Sequence, residues 1–213
     1  MAFIFERSPR VDMNYFDDLN TNLIHKTEFN FSIQKLLEAT QSLMSRLKIT
    51  EEFIIERGGY SLCLAHRANT EEKDRFREGS TALWDRKLNK RLFNESEFTN
   101  FNQSLAGTYF ETVYQEVQQI TNARARRMRL IWLPRERNYA FHTDIDEPLR
   151  YHLALTTNEN CFFIYKSNGK ISSTFHIPSN GFLYKVNAKE EHSFVNASHE
   201  LRLHLVFTTP KNV

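Results

Sequence analysis

The segment Phe141–His152 (FHTDIDEPLRYH) concentrates residue types that bind metal ions and anions. It begins with His142-x-Asp144. Alternate side chains of a β-strand project to one face, so these two are expected to lie together. A second histidine would complete a set of two imidazoles and one carboxylate, which suits a non-haem Fe(II) with open coordination positions. His192, in the segment EEHSFVN, is the candidate for that third ligand. A lone His-x-Asp pair arises often by chance, so this hypothesis depends on the complete set.

Two arginines interrupt strands that are otherwise apolar. Arg150 and His152 share one strand face in LRYHLAL, and Arg202 and His204 share one in LRLHLVF. A guanidinium inside an enclosed barrel is costly unless an anion meets it. That anion is either a protein carboxylate or a ligand carboxylate matched by the planar fork of arginine. Arg202 lies ten residues beyond His192, where its charge can meet the far end of a small dicarboxylate that chelates the metal.

A further arginine cluster, Arg124, Arg126, Arg127 and Arg129, precedes a strand. Such a cluster can bind phosphate, but no aromatic stacking platform is interleaved with it. The simpler interpretation is a solvated strand entrance with one inward arginine. An inward Arg129 or Arg127 could instead hold a substrate carboxylate.

The elements that must position these residues are short strands at regular intervals from residue 127 onward, a pattern typical of a sandwich or barrel. Asn168-Gly169 is a type I′ hairpin signal, and Pro178–Gly181 marks another reversal. Eight strands, the number in a jelly roll, are predicted at Met128–Leu133, Tyr139–Thr143, Arg150–Thr156, Cys161–Lys166, Ser172–Ile177, Phe182–Val186, His192–Val195 and Leu201–Thr208. The sequence therefore predicts a mainly β fold with flanking helices, whose core is a double-stranded β-helix (jelly roll, cupin-like).

We predict one domain over residues 1–213, in which a mostly helical support with a small hairpin (1–125) buttresses the jelly-roll core (126–213). Residues 1–30 are interpreted as a peripheral strand or arm. The charged segment Ala68–Glu78 is predicted to be a solvated loop, with a substrate-facing flap as the alternative. The remaining predictions are a helix from Phe31 capped by Ser32, a two-strand hairpin in Phe53–Arg67 reversing at Gly58-Gly59, a short basic helix at Trp84–Phe93, a short element or loop at Phe98–Leu105, and a helix from Thr108 with Ile120 on its apolar face.

Composition narrows the class of protein. The chain has 213 residues, 40% hydrophobic and 25% charged, as expected of a globular protein with a full core. A net charge of +2 argues against a nucleic-acid binder, and no apolar run is long enough to span a membrane. Cys63 and Cys161 lie in apolar runs and are predicted to be reduced core residues. With no signal-peptide pattern at residues 1–10, these features lead us to expect a cytoplasmic protein.

The segments HTD, LRYHLAL, EEHSFVN and LRLHLVF, in this order, resemble the 2-oxoglutarate- and Fe(II)-dependent oxygenases of the aspartyl/asparaginyl β-hydroxylase family, which includes bacterial hydroxylases of free proline. The resemblance covers Arg126 to Phe207. It implies a double-stranded β-helix with Fe(II) bound by His142, Asp144 and His192. Part of the family lacks the carboxylate ligand, so Asp144 makes the chain look more like the free-amino-acid hydroxylases.

The same resemblance assigns further roles. Arg202 would pair with the distal carboxylate of 2-oxoglutarate, and His152 would help to seat this cosubstrate. Arg150 would contact the cosubstrate or, as we favour, an acidic group of the substrate. The implied reaction hydroxylates an amino-acid or peptidyl side chain (Asp/Asn/Pro-like) and converts 2-oxoglutarate to succinate and CO2.

Two other functions remain open. A cupin-like metalloenzyme that does not use 2-oxoglutarate has the same architecture, but it has no need of Arg202. A non-catalytic jelly-roll binding protein would keep its ligand after loss of iron. The substrate is equally open: protein Asp or Asn side chains, free proline or another amino acid, and small peptides all fit.

Overall fold

The computed structural model describes residues 22–80, 84, 85, 87, 90–144 and 149–210. Its three α-helices are α1 (Ile33–Leu47), α2 (Glu51–Glu56) and α3 (Tyr109–Thr121). Single 3-10 turns lie at Glu72–Asp74, Glu78–Ser80, Glu95–Glu97 and Gln103–Leu105. The strands before residue 126 are β1 (Ile24–Asn30), β2 (Tyr60–Cys63), β3 (Ala65–His66), β4 (Trp84–Asp85), β5 (Lys90–Arg91) and β6 (Asn100–Phe101). The later strands are β7 (Arg126–Leu133), β8 (Arg137–Asn138), β9 (Leu149–Thr156), β10 (Cys161–Ser167), β11 (Lys170–Phe175), β12 (Phe182–Asn187), β13 (His192–Asn196) and β14 (Arg202–Thr208).

The last eight strands form a double-stranded β-helix, as predicted. Strands β7, β9, β12 and β14 lie in a six-stranded antiparallel sheet of order β1-β12-β9-β14-β7-β2. Strands β8, β10, β11 and β13 form a second, four-stranded sheet of order β11-β10-β13-β8. The chain thus passes back and forth between two facing sheets, which is the topology of a jelly roll.

The large sheet is buried on both faces, which explains why every residue of β14 is buried. Its outer face carries Leu130, Leu153 and Leu205, which pack against apolar side chains of α1 and α3. Its inner face meets the small sheet through a second apolar cluster that includes Phe163, Tyr184 and Phe194. Polar side chains on the inner face are therefore enclosed between the two sheets.

The two longer helices agree with the sequence pattern. In α1 the Ser32 hydroxyl accepts a hydrogen bond from the Lys35 N–H, as expected of an N-cap. Helix α3 follows Thr108 and buries Phe110, Val113 and Val117. The prediction that Ile120 lies on the buried face was wrong, because this side chain is 42% exposed near the end of the helix. No helix in the described ranges combines the length and apolarity needed to cross a membrane.

Two other local predictions were wrong. The first half of the proposed Phe53–Arg67 hairpin is helix α2, which Thr50 caps and in whose first turn Glu51 and Glu52 lie. The second half is strand β2. Within Trp84–Phe93 the described residues form the antiparallel pair β4–β5 rather than a helix. Of the segment 1–30, interpreted as a peripheral strand or arm, residues 1–21 lie outside the described residues. Ile24–Asn30 forms edge strand β1, which agrees with a peripheral strand.

The second core strand also differs from its prediction at Tyr139–Thr143. Strand β8 is only Arg137–Asn138, after which the Tyr139 N–H still bonds the Phe194 carbonyl and His142 pairs with His192. Between these two contacts the segment after β8 advances by three residues, from 139 to 142, whereas β13 advances by only two, from 192 to 194. One extra residue is therefore accommodated, as in a β-bulge, and such bulges re-aim side chains near functional sites.

Candidate metal centre

A cavity of about 290 Å³ lies between the two sheets. We call it the central cavity. It is lined by Ser61, Ser80, Arg127, Arg129, Ile131, Tyr139, His142, Asp144, Arg150, His152, Phe163, Val186, His192, Phe194, Arg202 and Val206. All seven site residues predicted from the sequence are in this set. Strand alternation accounts for this, because Arg150 and His152 share the inner face of β9 and Arg202 lies on the inner face of β14.

Three potential ligands meet at one side of the central cavity. One ligand atom each from His142, Asp144 and His192 lies within 4.8 Å of the others. Reciprocal backbone hydrogen bonds of 3.0 and 2.9 Å join His142 to His192, and their ring centroids are 4.5 Å apart. Asp144 is held by its own N–H, which bonds the Ala188 carbonyl at 2.8 Å. The backbone therefore fixes all three positions.

Hydrogen bonds also orient both imidazoles. Nδ1 of His142 lies 2.8 Å from the Ala140 carbonyl, and Nδ1 of His192 lies 2.9 Å from the Glu190 carbonyl. A carbonyl only accepts, so in both rings Nδ1 carries a proton and Nε2 is the nitrogen that would bind a metal. Metal-binding histidines are oriented in this way in proteins. Two neutral imidazoles and a carboxylate form the donor set that Fe(II) prefers, so the residues fit this ion.

Asp144 is also part of a buried ion network with Arg150, Glu95 and Arg127. Arg150 donates its Nε–H to Asp144, and its two terminal nitrogens reach the Glu95 carboxylate at 3.0 and 3.2 Å. Arg127 donates to the same carboxylate at 2.6 Å and to the Gly79 carbonyl at 2.9 Å. Burial alone would raise the pKa values of Asp144 and Glu95, but the neighbouring arginine charges hold both pKa values below their usual range.

This network changes the interpretation of Arg150. We expected Arg150 to contact the substrate or cosubstrate, but its guanidinium is occupied by two carboxylates of the protein. In this structure the anion that meets Arg150 is therefore a protein carboxylate, which was the alternative to a ligand carboxylate. Its place beside Asp144 makes it a residue that positions a candidate metal ligand.

Arg202 has no such carboxylate partner within the described part of the chain. It is 3% exposed, donates to Nδ1 of His204 at 2.7 Å, and stacks on Phe194 with its Cζ 2.9 Å from the ring centroid. Its Nε–H is buried without a partner among the described residues. Burial lowers the pKa of Arg202 well below its usual range. Because a guanidinium stays charged, this shift reflects a free-energy cost that a bound anion would offset.

His152 lies next to this arginine. Its Nδ1 is 3.4 Å from Nδ1 of His204. Burial, followed by the charge of Arg202, lowers the pKa of His152 well below its usual range, and the same two causes lower that of His204. Both imidazoles are therefore neutral at physiological pH and can exchange hydrogen bonds with a polar ligand.

Arg129 lies on the inner face of β7, half-buried, with a buried Nε–H that lacks a partner in the described ranges. Burial and the charges of Arg127 and Arg150 lower the pKa of Arg129 to about 9. Its neighbour Arg127 adopts a left-handed backbone, with φ of 46°, where β7 bulges against β14. A non-glycine residue rarely takes this conformation, and the ion pair with Glu95 helps to hold it there.

Two residues of the site were missed by the sequence reasoning. Glu95 is 1% exposed, but in the sequence it is one acid of a surface-like segment, NESEF. Ser61 lines the central cavity with a buried hydroxyl that lacks a partner among the described residues. The position of Ser61 could have been predicted, because it is the polar residue of the otherwise apolar strand YSLC.

Comparisons with known proteins add little. No protein-family model and no curated protein matches the chain. Similar solved structures include a prolyl-4-hydroxylase from Pseudomonas putida (14% identity, 91% of this chain and 96% of that one, TM-score 0.44). Another is AviO1 from Streptomyces viridochromogenes Tue57 (10% identity, 89% and 90%, TM-score 0.46). An oxidoreductase of the 2OG-Fe(II) oxygenase family from Burkholderia pseudomallei is also similar (14% identity, TM-score 0.37), with 50% of this chain covering 54% of that one. These values are too low to support an argument about chemistry, which therefore rests on the geometry of the central cavity.

Proposed function

We propose that the chain is a 2-oxoglutarate- and Fe(II)-dependent oxygenase that hydroxylates an amino-acid or peptidyl side chain. The observation that carries this proposal is the composition of the central cavity. It combines the cluster of His142, Asp144 and His192 with a buried arginine, Arg202, that has no carboxylate partner among the described residues. One small dicarboxylate could fill both roles: one of its ends would chelate the metal, and the other would pair with Arg202.

His142 and His192 would hold Fe(II) through their Nε2 atoms, and Asp144 through its carboxylate. Their orientation is preset by the Ala140 and Glu190 carbonyls and by Arg150. Bound Fe(II) would supply oxidation by O2, with one oxygen atom entering the succinate formed from 2-oxoglutarate and the other entering the substrate as a hydroxyl. The protein would position the target C–H bond and exclude water.

Arg202 would pair with the distal carboxylate of 2-oxoglutarate. His204 accepts a hydrogen bond from Arg202 and so fixes its guanidinium. The neutral His152 lies beside this pair and would help to seat the cosubstrate. A cupin-like enzyme that uses the metal alone does not explain why Arg202 is buried without a carboxylate partner in the described part of the chain.

We further propose the aspartyl/asparaginyl β-hydroxylase branch, on the spacing of HTD, LRYHLAL, EEHSFVN and LRLHLVF. Strands β1 and β2 extend the same sheet as the core strands, which supports one domain. Cys63 and Cys161 are both free and buried, as predicted. This fits a reducing compartment such as the cytoplasm.

The test is Fe(II)-dependent release of labelled CO2 from 2-oxoglutarate, with a panel of free amino acids and short Asp-, Asn- and Pro-containing peptides. We expect CO2 and succinate to form in equal amounts, faster when a substrate is present. Protein loaded with Zn(II) serves as the redox-inert control. Stoichiometric iron binding without any 2-oxoglutarate turnover would favour the cupin-like enzyme and refute the proposal.

A further inference from the structure

The central cavity contains two arginines without carboxylate partners in the described ranges, and they lie at different positions. In the β7–β14 pair, Arg202 is opposite Leu133 and Arg129 is opposite Val206. The two attachment points are therefore four residues apart along the strands, or roughly 14 Å. A distal carboxylate bound at Arg202 would therefore not also pair with the guanidinium of Arg129.

Ser61 supplies a second donor near Arg129. In the β2–β7 pair, Ser61 is opposite Ile131, which places it diagonally next to Arg129 on the same face of the sheet. Both side chains line the central cavity. The Ser61 hydroxyl and the Arg129 Nε–H are each buried without a hydrogen-bond partner among the described residues. Buried donors of this kind are normally satisfied by a protein group, water or a ligand.

The excess of arginine over carboxylate charge among the described residues of the central cavity also favours binding of a second anion. Four arginines line it, at positions 127, 129, 150 and 202, whereas the carboxylates paired with them in the described ranges are those of Glu95 and Asp144. Arg129 and Arg202 are therefore two positive charges without a paired carboxylate in these ranges, and a divalent metal would add further positive charge. A 2-oxoglutarate dianion offsets only part of this charge. The lowered pKa of Arg129 agrees, because an anion bound there would offset its burial and the repulsion of Arg127 and Arg150.

We propose that Arg129 and Ser61 form a second anion site that binds a carboxylate group. Its identification as a substrate site rests on the proposed function. A substrate whose carboxylate is bound to Arg129 would lie on the opposite side of the central cavity from Arg202. The potential metal ligands His142, Asp144 and His192 line the same cavity. The substrate class that fits is a small molecule with a free carboxylate, such as a free amino acid, rather than an internal Asn or Pro residue of a protein.

Acetate and acetamide are the probes for this site, because they share a shape and differ in charge. The protein is labelled with ¹⁵N-arginine and loaded with Zn(II) and saturating 2-oxoglutarate. The Arg129 Nε–H resonance is identified by its loss in Arg129→Lys, and the Arg202 resonance by its loss in Arg202→Lys. We expect acetate to shift the Arg129 resonance saturably, and acetamide to leave it unchanged. Ser61→Ala should weaken acetate binding about fivefold, the equivalent of one hydrogen bond of ~1 kcal/mol.

The exposed Arg135 provides the control. Arg135→Lys should leave acetate binding unchanged. The second site is refuted if acetate causes no saturable shift at Arg129, if acetamide binds as well as acetate, or if 2-oxoglutarate itself occupies Arg129. Failure of the proposed function gives a different result: the Arg202 resonance does not respond to 2-oxoglutarate, while acetate still titrates Arg129.

Discussion

His142 and His192 sit in different surroundings although they face the same candidate metal. His192 is buried and packs against Phe163 and Tyr165, whereas His142 is exposed. The metal position is therefore open to solvent on the His142 side and backed by aromatic rings on the His192 side. This is the arrangement that a metal needs if small ligands are to enter and leave.

Removal of either imidazole should abolish most metal binding. We expect His142→Ala and His192→Ala to weaken binding of Fe(II), or of Mn(II) as a stable substitute, by more than the roughly 10- to 100-fold typical of losing a group that only supports a ligand. Anaerobic titration measures this. The exposed His199, changed to Ala, is the matched control. If both variants retained stoichiometric metal while folded, the assignment would be wrong.

The prediction for Arg202 separates ligand binding from folding. In Arg202→Met the 2-oxoglutarate Kd should rise about 10- to 100-fold, because a charge-assisted bond contributes about 1.5–3 kcal/mol. The thermal midpoint of the ligand-free protein should stay the same or rise, since a buried charge without a counter-charge among the described residues is replaced by an apolar group of similar length. Arg202→Lys should restore binding only partly, because an ammonium lacks the planar fork. A lower midpoint with an unchanged Kd would contradict the cosubstrate role.

At the residue scale, the sequence was informative where a polar side chain interrupts an apolar strand. Alternation alone places Arg150, His152 and Arg202 on the inner face. It could not identify Glu95, because nothing in a short acidic segment shows that one of its two carboxylates is buried against arginines that lie 32 and 55 residues further along the chain. The true counter-ion of Arg150 therefore required the three-dimensional structure.

At the scale of elements, strand β12 begins where the chain passes very close to β1. The Phe31 N–H bonds the Gly181 carbonyl at 2.8 Å, and a Cβ at Gly181 would lie 2.6 Å from the Phe31 carbonyl oxygen. Gly181 has a φ of +82°. Gly169, in the β10–β11 turn, has a similar φ of +74° but open space around it.

This pair of glycines separates backbone strain from steric clash. Gly169→Ala should destabilise the protein by about 1–2 kcal/mol, from the left-handed conformation alone. Gly181→Ala should cost more, because the clash with the Phe31 carbonyl is added to the same strain. Urea unfolding of both variants measures the difference. Equal losses would mean that β1 moves away from β12 without a penalty.

Strand patterns predicted seven of the eight core strands, because most of them carry an apolar run or an alternation of apolar and polar residues. The largely exposed edge strand β11 was indicated by the Asn168-Gly169 turn before it. The eighth, β8, lies at the edge of the small sheet and is interrupted by the extra residue before His142. Alternation cannot reveal such an insertion, since it depends on how two strands are paired. The helix α2 was missed for a related reason: its apolar residues, Phe53, Ile54 and Ile55, favour a strand locally. The helix is favoured by the Thr50 cap and by the acidic residues of its first turn.

At the scale of the whole molecule, buried neutral histidines should make folding sensitive to acid. The pKa values of His152 and His204 are well below 6.5 in the folded protein. Above about pH 6.5 both imidazoles are neutral in the folded and unfolded states. Below it the unfolded chain takes up protons that the folded chain does not, so the free energy of unfolding falls.

The expected slope is about 1.4 kcal/mol per pH unit for each histidine, or about 2.7 for the pair, between pH 6.5 and their folded pKa values. Urea unfolding of metal-free protein at several pH values from 7.5 to 5.5 measures it. His204→Asn should reduce the slope by about half. A free energy of unfolding that stays constant over this range would show that neither imidazole is held neutral by the fold.

The position of Glu95 has a consequence for any attempt to shorten the chain. The eight core strands begin at residue 126, yet the counter-charge for two of their arginines comes from residue 95. A fragment that starts at Arg126 would keep Arg127 and Arg150 and lose their common carboxylate. Breaking a buried ion pair costs about 3–5 kcal/mol, a large part of the 5–15 kcal/mol that stabilises a typical domain. We therefore expect that the jelly-roll core does not fold stably when it is excised at residue 126. A transplanted core would have to retain the Glu95 segment, or replace both arginines with apolar residues and supply another support for Asp144.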